Sequence, residues 1–199
     1  MTSREAVLTR GVRLEYLTIG WNLLEGLLGI IAGALAGSIA LIGFGLDSGI
    51  EVFSGAVLLW RLKSQESEEA ERRAVRLVGV SFLILSAYIL YDAAHALVLK
   101  EPPRESVPGI VLAVASLIAM PLLAAAKRRV AGDLGSGAMH ADSRQTDFCA
   151  YLSGIVLLGL ILNAAAGWWW ADPAAALIMV PIVAMEGIKA LKGKTCCES

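Results

Sequence analysis

The sequence predicts an all-α membrane protein, a six-helix transmembrane bundle with both termini in the cytoplasm. Three observations carry this prediction: the composition, the number of long apolar segments, and the distribution of Lys and Arg between them. Of the 199 residues, 57% are hydrophobic and 18% are charged, and the mean hydropathy is +0.67. Soluble domains average about 45–50% apolar and about 25% charged residues, so this chain is expected to lie in lipid.

The first three segments are delimited by a short linker and a charged stretch. Segments 1 and 2 meet at Ala36-Gly37-Ser38, and so short a linker predicts a tight antiparallel pair of helices. Segment 3 follows KSQESEEAERRAVR at 63–76. Because that stretch mixes both signs of charge, we interpret it as a solvated cytoplasmic loop with helical extensions and expect no nucleic-acid partner.

The last three segments contain the longest uncharged runs. Segment 4 has no charged residue, and segment 5 has none between Phe148 and Ala171 after a polar start. Segments 5 and 6 meet at Trp168–Trp170, and consecutive tryptophans favour a membrane–water interface. A helix needs roughly 20 apolar residues to cross the bilayer. The six predicted segments are 14–36, 38–62, 75–99, 108–126, 138–163 and 170–191.

The basic residues alternate along the chain. Of the 17 Lys and Arg residues, 14 lie before segment 1, between segments 2 and 3, between segments 4 and 5, and after segment 6, or within three residues of the adjoining segment ends. The other loops hold only Lys100 and Arg104, and Arg144 lies within segment 5. Cytoplasmic loops are enriched in Lys and Arg, so an even number of spans with cytoplasmic termini is predicted. A bacterial inner membrane fits this orientation.

The predicted domain organisation is simple. It consists of a cytoplasmic N-terminal segment at 1–13, a six-helix transmembrane domain at 14–191 and a short cytoplasmic tail at 192–199. The three cysteines do not form a disulfide framework. We find no nucleophile–base pair, no phosphate-binding glycine loop and no HExxH motif, so an enzyme is not expected and no permanently bound cofactor is predicted.

Two acidic residues lie deep within segment 2. Asp47 is about ten residues from the outer end of the segment, and Glu51 follows one helical turn later. Residues spaced i,i+4 share one face of a helix. Two carboxylates on one buried face are costly unless a cation or a proton neutralises them. The pair therefore predicts a cation site inside the membrane.

Further acidic residues reach a similar depth from other segments. Asp147 is about nine residues into segment 5 and Glu25 about eleven residues into segment 1, and at 1.5 Å per residue both reach the middle third of the bilayer. Glu25 could instead hydrogen-bond Asn22. Carboxylates, imidazole and thiolate bind divalent metals such as zinc. The predicted metal ligands are Asp47, Glu51, Asp147, Asp142, Glu25, Cys149 and His140.

Several of these ligands also have a structural interpretation. Asp147 could pair with Arg144, three residues earlier in the same segment. Asp142 could be a solvated cap of segment 5, and His140 could lie at the cytoplasmic mouth of the bundle. Cys149 could be a small buried apolar side chain. The sequence alone leaves these alternatives open.

The stretch Ser38–Glu51, SIALIGFGLDSGIE, resembles the second helix of the cation diffusion facilitator family. Members of that family are proton-coupled exporters of zinc and related divalent metals. Their second helix typically reads Ser-x-Ala-Leu, followed by an Asp-x-x-x-Asp pair and small residues. The resemblance covers about 14–191 and implies a metal site between the second and fifth helices. The matching positions are Ser38, Ala40, Leu41, Asp47 and Glu51, with Glu in the second acidic place.

The fifth segment departs from the family pattern. The family has a His-x-x-x-Asp pair on this helix, and the histidine is missing here. Counting back from the Asp172-Pro173 turn, which also looks family-like, places the pair at Gln145 and Cys149. The nearest acidic residue within the span is Asp147. We favour it as the ligand because an acidic side chain buried in the membrane is costly unless it has a function or a partner. Since imidazole favours zinc over harder ions, the missing histidine puts zinc selectivity in doubt.

The resemblance also bears on partners. The chain ends shortly after segment 6, so the cytoplasmic metal-binding domain common in the family is expected to be absent. Any homodimer would then form within the membrane, through small-residue faces such as Gly26–Gly33. The other expected partners are the lipid bilayer, a divalent metal ion and protons.

The predicted function is that of a divalent metal cation transporter with a zinc-like substrate. We expect proton-coupled efflux by alternating access, in which protons compete with the metal for the same carboxylates. Two other functions fit the same acidic cluster. One is a non-transporting membrane metal-binding or sensor partner, and the other is a proton-coupled carrier of a small organic cation.

Overall fold

The computed structural model describes residues 3–63, 68–100 and 103–192, which form six helices. Each of the six is long and apolar enough to cross a membrane, which confirms the predicted all-α bundle of six spans. The orientation of the termini stays a prediction, and of the predicted tail at 192–199 only Lys192 is described. The helices are α1 (Ser3–Ala36), α2 (Ile39–Lys63), α3 (Glu68–Leu99), α4 (Val107–Leu134), α5 (Gly137–Ala166) and α6 (Ala171–Leu191).

Two helices extend well beyond the apolar segments that predicted them. Helix α1 begins at Ser3, and α4 continues to Leu134, where Gly135 ends it with a positive φ of 62°. The prediction that Lys127–Arg129 belong to a loop was therefore wrong. Hydropathy detects only the part of a helix that can face lipid, whereas charged residues such as Lys127 can continue the helix and turn inward. Lys127 is in fact almost fully buried.

Four of the helices form a ring. Helix α1 packs on α2, α2 on α5, α5 on α4, and α4 on α1. Helices α3 and α6 pack tightly on each other and lie against α2, and α6 also contacts α5. The interface of α2 with α3 and α6 is apolar and includes Phe44, Ile89 and Met179. The ring, by contrast, encloses buried polar residues from all four of its helices, including Glu15, Asn22, Asp47 and Lys127.

Helices α1 and α2 approach each other through glycine. A Cβ atom added at Gly29 would lie 3.1 Å from the Cα atom of Gly45, and one added at Gly45 would lie 2.8 Å from the backbone nitrogen of Ile30. The Gly26–Gly33 face is thus used within the chain, against α2. This corrects the prediction that the same face mediates a membrane dimer, because small-residue faces are enriched wherever helices approach closely. A homodimer through another surface stays a prediction.

The start of α2 is anchored to the start of α6. Ser38 Oγ accepts a hydrogen bond from the backbone N–H of Leu41 at 3.1 Å and donates one to Asp172 Oδ1. The other carboxylate oxygen of Asp172 accepts from the backbone N–H of Ile39 at 2.9 Å. A carboxylate here satisfies amide groups that have no partner within the helix, and it also interacts favourably with the helix dipole.

We expect Asp172→Ala to lower the free energy of unfolding by about 2 kcal/mol or more, because it leaves the first amides of α2 and the Ser38 hydroxyl buried without an acceptor. The measurement is thermal unfolding of the purified protein in detergent. Asp172→Asn, which keeps one acceptor oxygen, is the matched control and should lose less. Equal unfolding temperatures for the wild type and Asp172→Ala would contradict this role.

Candidate metal site between the second and fifth helices

Three potential ligands from two helices converge in the centre of the ring. Asp47 and Glu51 lie one turn apart on α2, and Cys149 faces them from α5. One ligand atom from each of the three side chains lies within 4.8 Å of the other two. The residues are 2%, 7% and 0% exposed, respectively. A cluster so deeply buried is shielded from lipid and from bulk water.

The spacing of these atoms is close to that of a metal site. In a tetrahedral zinc site, bonds of about 2.0–2.3 Å place neighbouring ligand atoms about 3.3–3.8 Å apart. Small side-chain movements would therefore bring Asp47, Glu51 and Cys149 onto one ion. Among the described residues, no Lys or Arg forms an ion pair with Asp47 or Glu51. The donor set of two carboxylates and one thiol thus fits a divalent cation.

Glu25 of α1 lies beside this cluster. Its carboxylate accepts hydrogen bonds from Ser48 Oγ at 2.6 Å, from Trp21 Nε1 at 2.8 Å and from the Ser116 hydroxyl. The thiol of Cys149 also donates to it, with Sγ 3.5 Å from Oε1. All of these donors are neutral groups, and Glu25 is fully buried. Glu25 is therefore placed to accept the proton that the thiol must release before it can bind a metal.

Asn22, which was not among the predicted ligands, also contacts the cluster. Its Nδ2 atom donates a hydrogen bond to Glu51 Oε2 at 2.7 Å. Its Oδ1 atom is buried and has no hydrogen-bond partner. The signal was present in the sequence, because Asn22 and Glu25 are spaced i,i+3 and so share one face of α1. Asn22 orients the Glu51 carboxylate and leaves one acceptor oxygen free.

The structure does not bring Asp147 to this cluster. Its carboxylate forms an ion pair with Arg128 of α4, and its side chain is 31% exposed. Two residues along a helix correspond to a rotation of about 200°, so Asp147 and Cys149 point to opposite sides of α5. The partner of Asp147 is thus Arg128 of α4 and not Arg144 of its own helix, which the sequence offered as an alternative.

Asp142 and His140 also lie apart from the three ligands. Asp142 is paired with Lys127, whose side chain is 1% exposed. His140 is exposed, in the first turn of α5. Of the seven predicted ligands, the structure thus brings Asp47, Glu51 and Cys149 together, with Glu25 in contact with Cys149. Asp147, Asp142 and His140 are placed elsewhere.

Comparison with known proteins identifies the family of this chain. The family model described as the cation efflux transmembrane domain matches residues 16–194. The match includes α2 to α6, the part of α1 from Tyr16 onward, and every residue of the cluster. The chain belongs to the cation efflux family. The resemblance inferred from the Ser38–Glu51 stretch is thereby confirmed, and the cluster between α2 and α5 lies inside the part of the chain that defines this membership.

Two curated relatives are similar to this cation efflux domain. Transmembrane protein 163 of Xenopus laevis is 30% identical over 155 residues, which is 75% of this chain and 53% of the relative. An uncharacterized transporter of Synechocystis is 29% identical over 171 residues, which is 81% of this chain and 55% of the relative. The chain thus spans about half the length of the curated relatives that it matches.

Proposed function

We propose that this chain transports a divalent metal cation, with zinc as the best-fitting substrate. The observation that carries the proposal is the convergence of Asp47, Glu51 and Cys149, whose ligand atoms lie within 4.8 Å of one another in the ring. Membership of the cation efflux family supports transport, and it favours a transporter over an enzyme.

The donor set supports a zinc-like ion over a harder one. Magnesium and calcium prefer oxygen ligands alone, whereas a thiolate favours zinc and softer metals. Cys149 therefore provides the preference for zinc that the histidine of the family pattern would otherwise provide. Asp47 and Glu51 supply the negative charge that offsets the loss of the ion's hydration.

We further propose that transport is coupled to protons and proceeds by alternating access. When the metal binds, the Cys149 thiol loses its proton, and Glu25 Oε1 at 3.5 Å is the neighbouring acceptor. Protons arriving from the other side of the membrane compete for Asp47 and Glu51 and displace the metal. Because the ligands belong to two helices, a shift of α5 against α2 would open the site and weaken binding.

Flux measurements in proteoliposomes test this function. The purified chain is reconstituted with a zinc-sensitive dye and a pH-sensitive dye inside the vesicles, and zinc is added outside. We expect zinc to enter while protons leave, at a rate well above that of protein-free vesicles. Zinc binding without flux would instead indicate a metal-binding or sensor protein. Flux of a small organic cation that zinc does not inhibit would indicate a carrier of another substrate.

A further inference from the structure

A second charged cluster lies in the ring, closer to the end where α1 begins and α4 ends. Its centre is the ammonium group of Lys127, whose side chain is 1% exposed. The Nζ atom lies 3.2 Å from Glu15 Oε1 and 3.3 Å from Thr146 Oγ1, and it also contacts the Asp142 carboxylate. Two carboxylates and a hydroxyl from α1 and α5 thus surround one positive charge provided by α4.

A narrow, partly open cleft extends from this cluster to Glu51 of the metal site. Its walls include Glu15, Asp142 and Lys127 at one end and Asn22 and Glu51 at the other. The free Oδ1 atom of Asn22 belongs to a residue that is 1% exposed and lines this cleft. An acceptor oxygen buried without a partner is costly unless a cation or a water molecule reaches it.

The two carboxylates of this cluster can hold more charge than the one ammonium group offsets. Glu15 and Asp142 together can hold two negative charges against the single charge of Lys127. A buried carboxylate pair around one ammonium group resembles an oxygen-rich cation site in which the cation is attached to the protein. A divalent ion in the same place would balance both carboxylates, and a monovalent ion would gain nothing over Lys127.

We propose that Glu15, Asp142 and Thr146 form a second cation-binding station, which the Lys127 ammonium occupies in this structure. This station rests on the proposed transport function and deepens it. A divalent cation displaces the ammonium, binds the two carboxylates, and then moves past Asn22 to Glu51 and the metal site. Because only a doubly charged ion competes well with the tethered ammonium, the station selects divalent over monovalent cations before they reach Cys149.

Zinc-binding stoichiometry tests this proposal. Zn²⁺ is titrated calorimetrically into the purified full chain, with Cys196 and Cys197 changed to Ser so that they do not bind the metal. We expect one Zn²⁺ per chain in this background. Lys127→Met removes the tethered charge, and we expect the stoichiometry to double to two. Adding Glu15→Gln to Lys127→Met should return it to one.

Lys127→Gln is the gentler variant, because its amide can still donate hydrogen bonds to the two carboxylates. It too should bind two ions, and Zn²⁺ should raise the unfolding temperature of both variants more than that of the background. One ion per chain in both Lys127 variants would overturn the station. Failure of both to fold even with Zn²⁺ would also overturn it, since the ion should replace the missing charge. Absence of any Zn²⁺ in the background chain would instead overturn the proposed function.

Discussion

Asp47→Ala and Glu51→Ala are each expected to abolish zinc uptake into proteoliposomes and the proton flux that accompanies it. Each variant removes one of two carboxylates that lie within 4.8 Å of Cys149. Because the site is buried, solvent cannot compensate for the lost carboxylate charge. We expect zinc affinity to fall on the order of 100-fold or more, since even changes to groups behind a metal ligand cost about 10–100-fold.

The controls for this experiment separate charge from packing. Glu51→Gln keeps the volume of the side chain and an oxygen that can accept the Asn22 hydrogen bond, so it should fold normally and still lose transport. Asp92→Asn changes an acidic residue of α3, a helix outside the ring, where Asp92 contacts Tyr88. It should transport zinc at the wild-type rate. Unchanged flux in both Asp47→Ala and Glu51→Ala would discard the site.

Cys149→Ala and Asp147→Ala are expected to have opposite outcomes, although the two positions are only two residues apart. Cys149 is fully buried against Glu25, Asp47 and Glu51, whereas Asp147 is paired with Arg128 and partly exposed. Loss of the thiol should weaken zinc binding on the order of 100-fold, because a direct ligand is removed. Loss of Asp147 removes a partly exposed ion pair, which contributes about 0–1 kcal/mol to stability.

Cadmium offers a direct readout of this difference, because a cadmium–thiolate bond has an ultraviolet charge-transfer band. The measurement uses the chain with Cys196 and Cys197 changed to Ser, so that Cys149 is the remaining thiol. The band should appear on adding Cd²⁺, persist in Asp147→Ala and vanish in Cys149→Ala. A band that is absent from the parent chain would contradict Cys149 as a ligand. A loss of zinc affinity in Asp147→Ala as large as that in Cys149→Ala would contradict the placement of Asp147 outside the site.

Hydropathy and helix periodicity were sufficient to predict the six spans and the shared face of Asp47 and Glu51. Spans depend on local composition, and i,i+4 neighbours share a face in any helix. The α1–α2 pairing was also predictable from the three-residue linker at 36–38. A linker this short holds consecutive helices side by side in antiparallel orientation.

The residue of the fifth helix that faces the metal site could not be predicted in this way. The preference for Asp147 assumed that a charge within a span must face the site. The predicted segment 4 ends at 126, which makes Arg128 a loop residue and not a partner in α4. Counting back from the Asp172-Pro173 turn placed the pair at Gln145 and Cys149, and the structure turns both inward, with Gln145 lining the cleft.

The bond between Asp172 and the start of α2 has a consequence for how the molecule can move. It fixes the beginning of α2 to the beginning of α6 through the Ser38 hydroxyl and the Ile39 amide, so α2 cannot slide along its own axis at this end without breaking both bonds. In the proposed transport cycle, we therefore expect α2 to pivot about this end. The displacement of a pivoting helix grows with distance from the pivot, so we expect a wider opening at Glu51 than at Asp47.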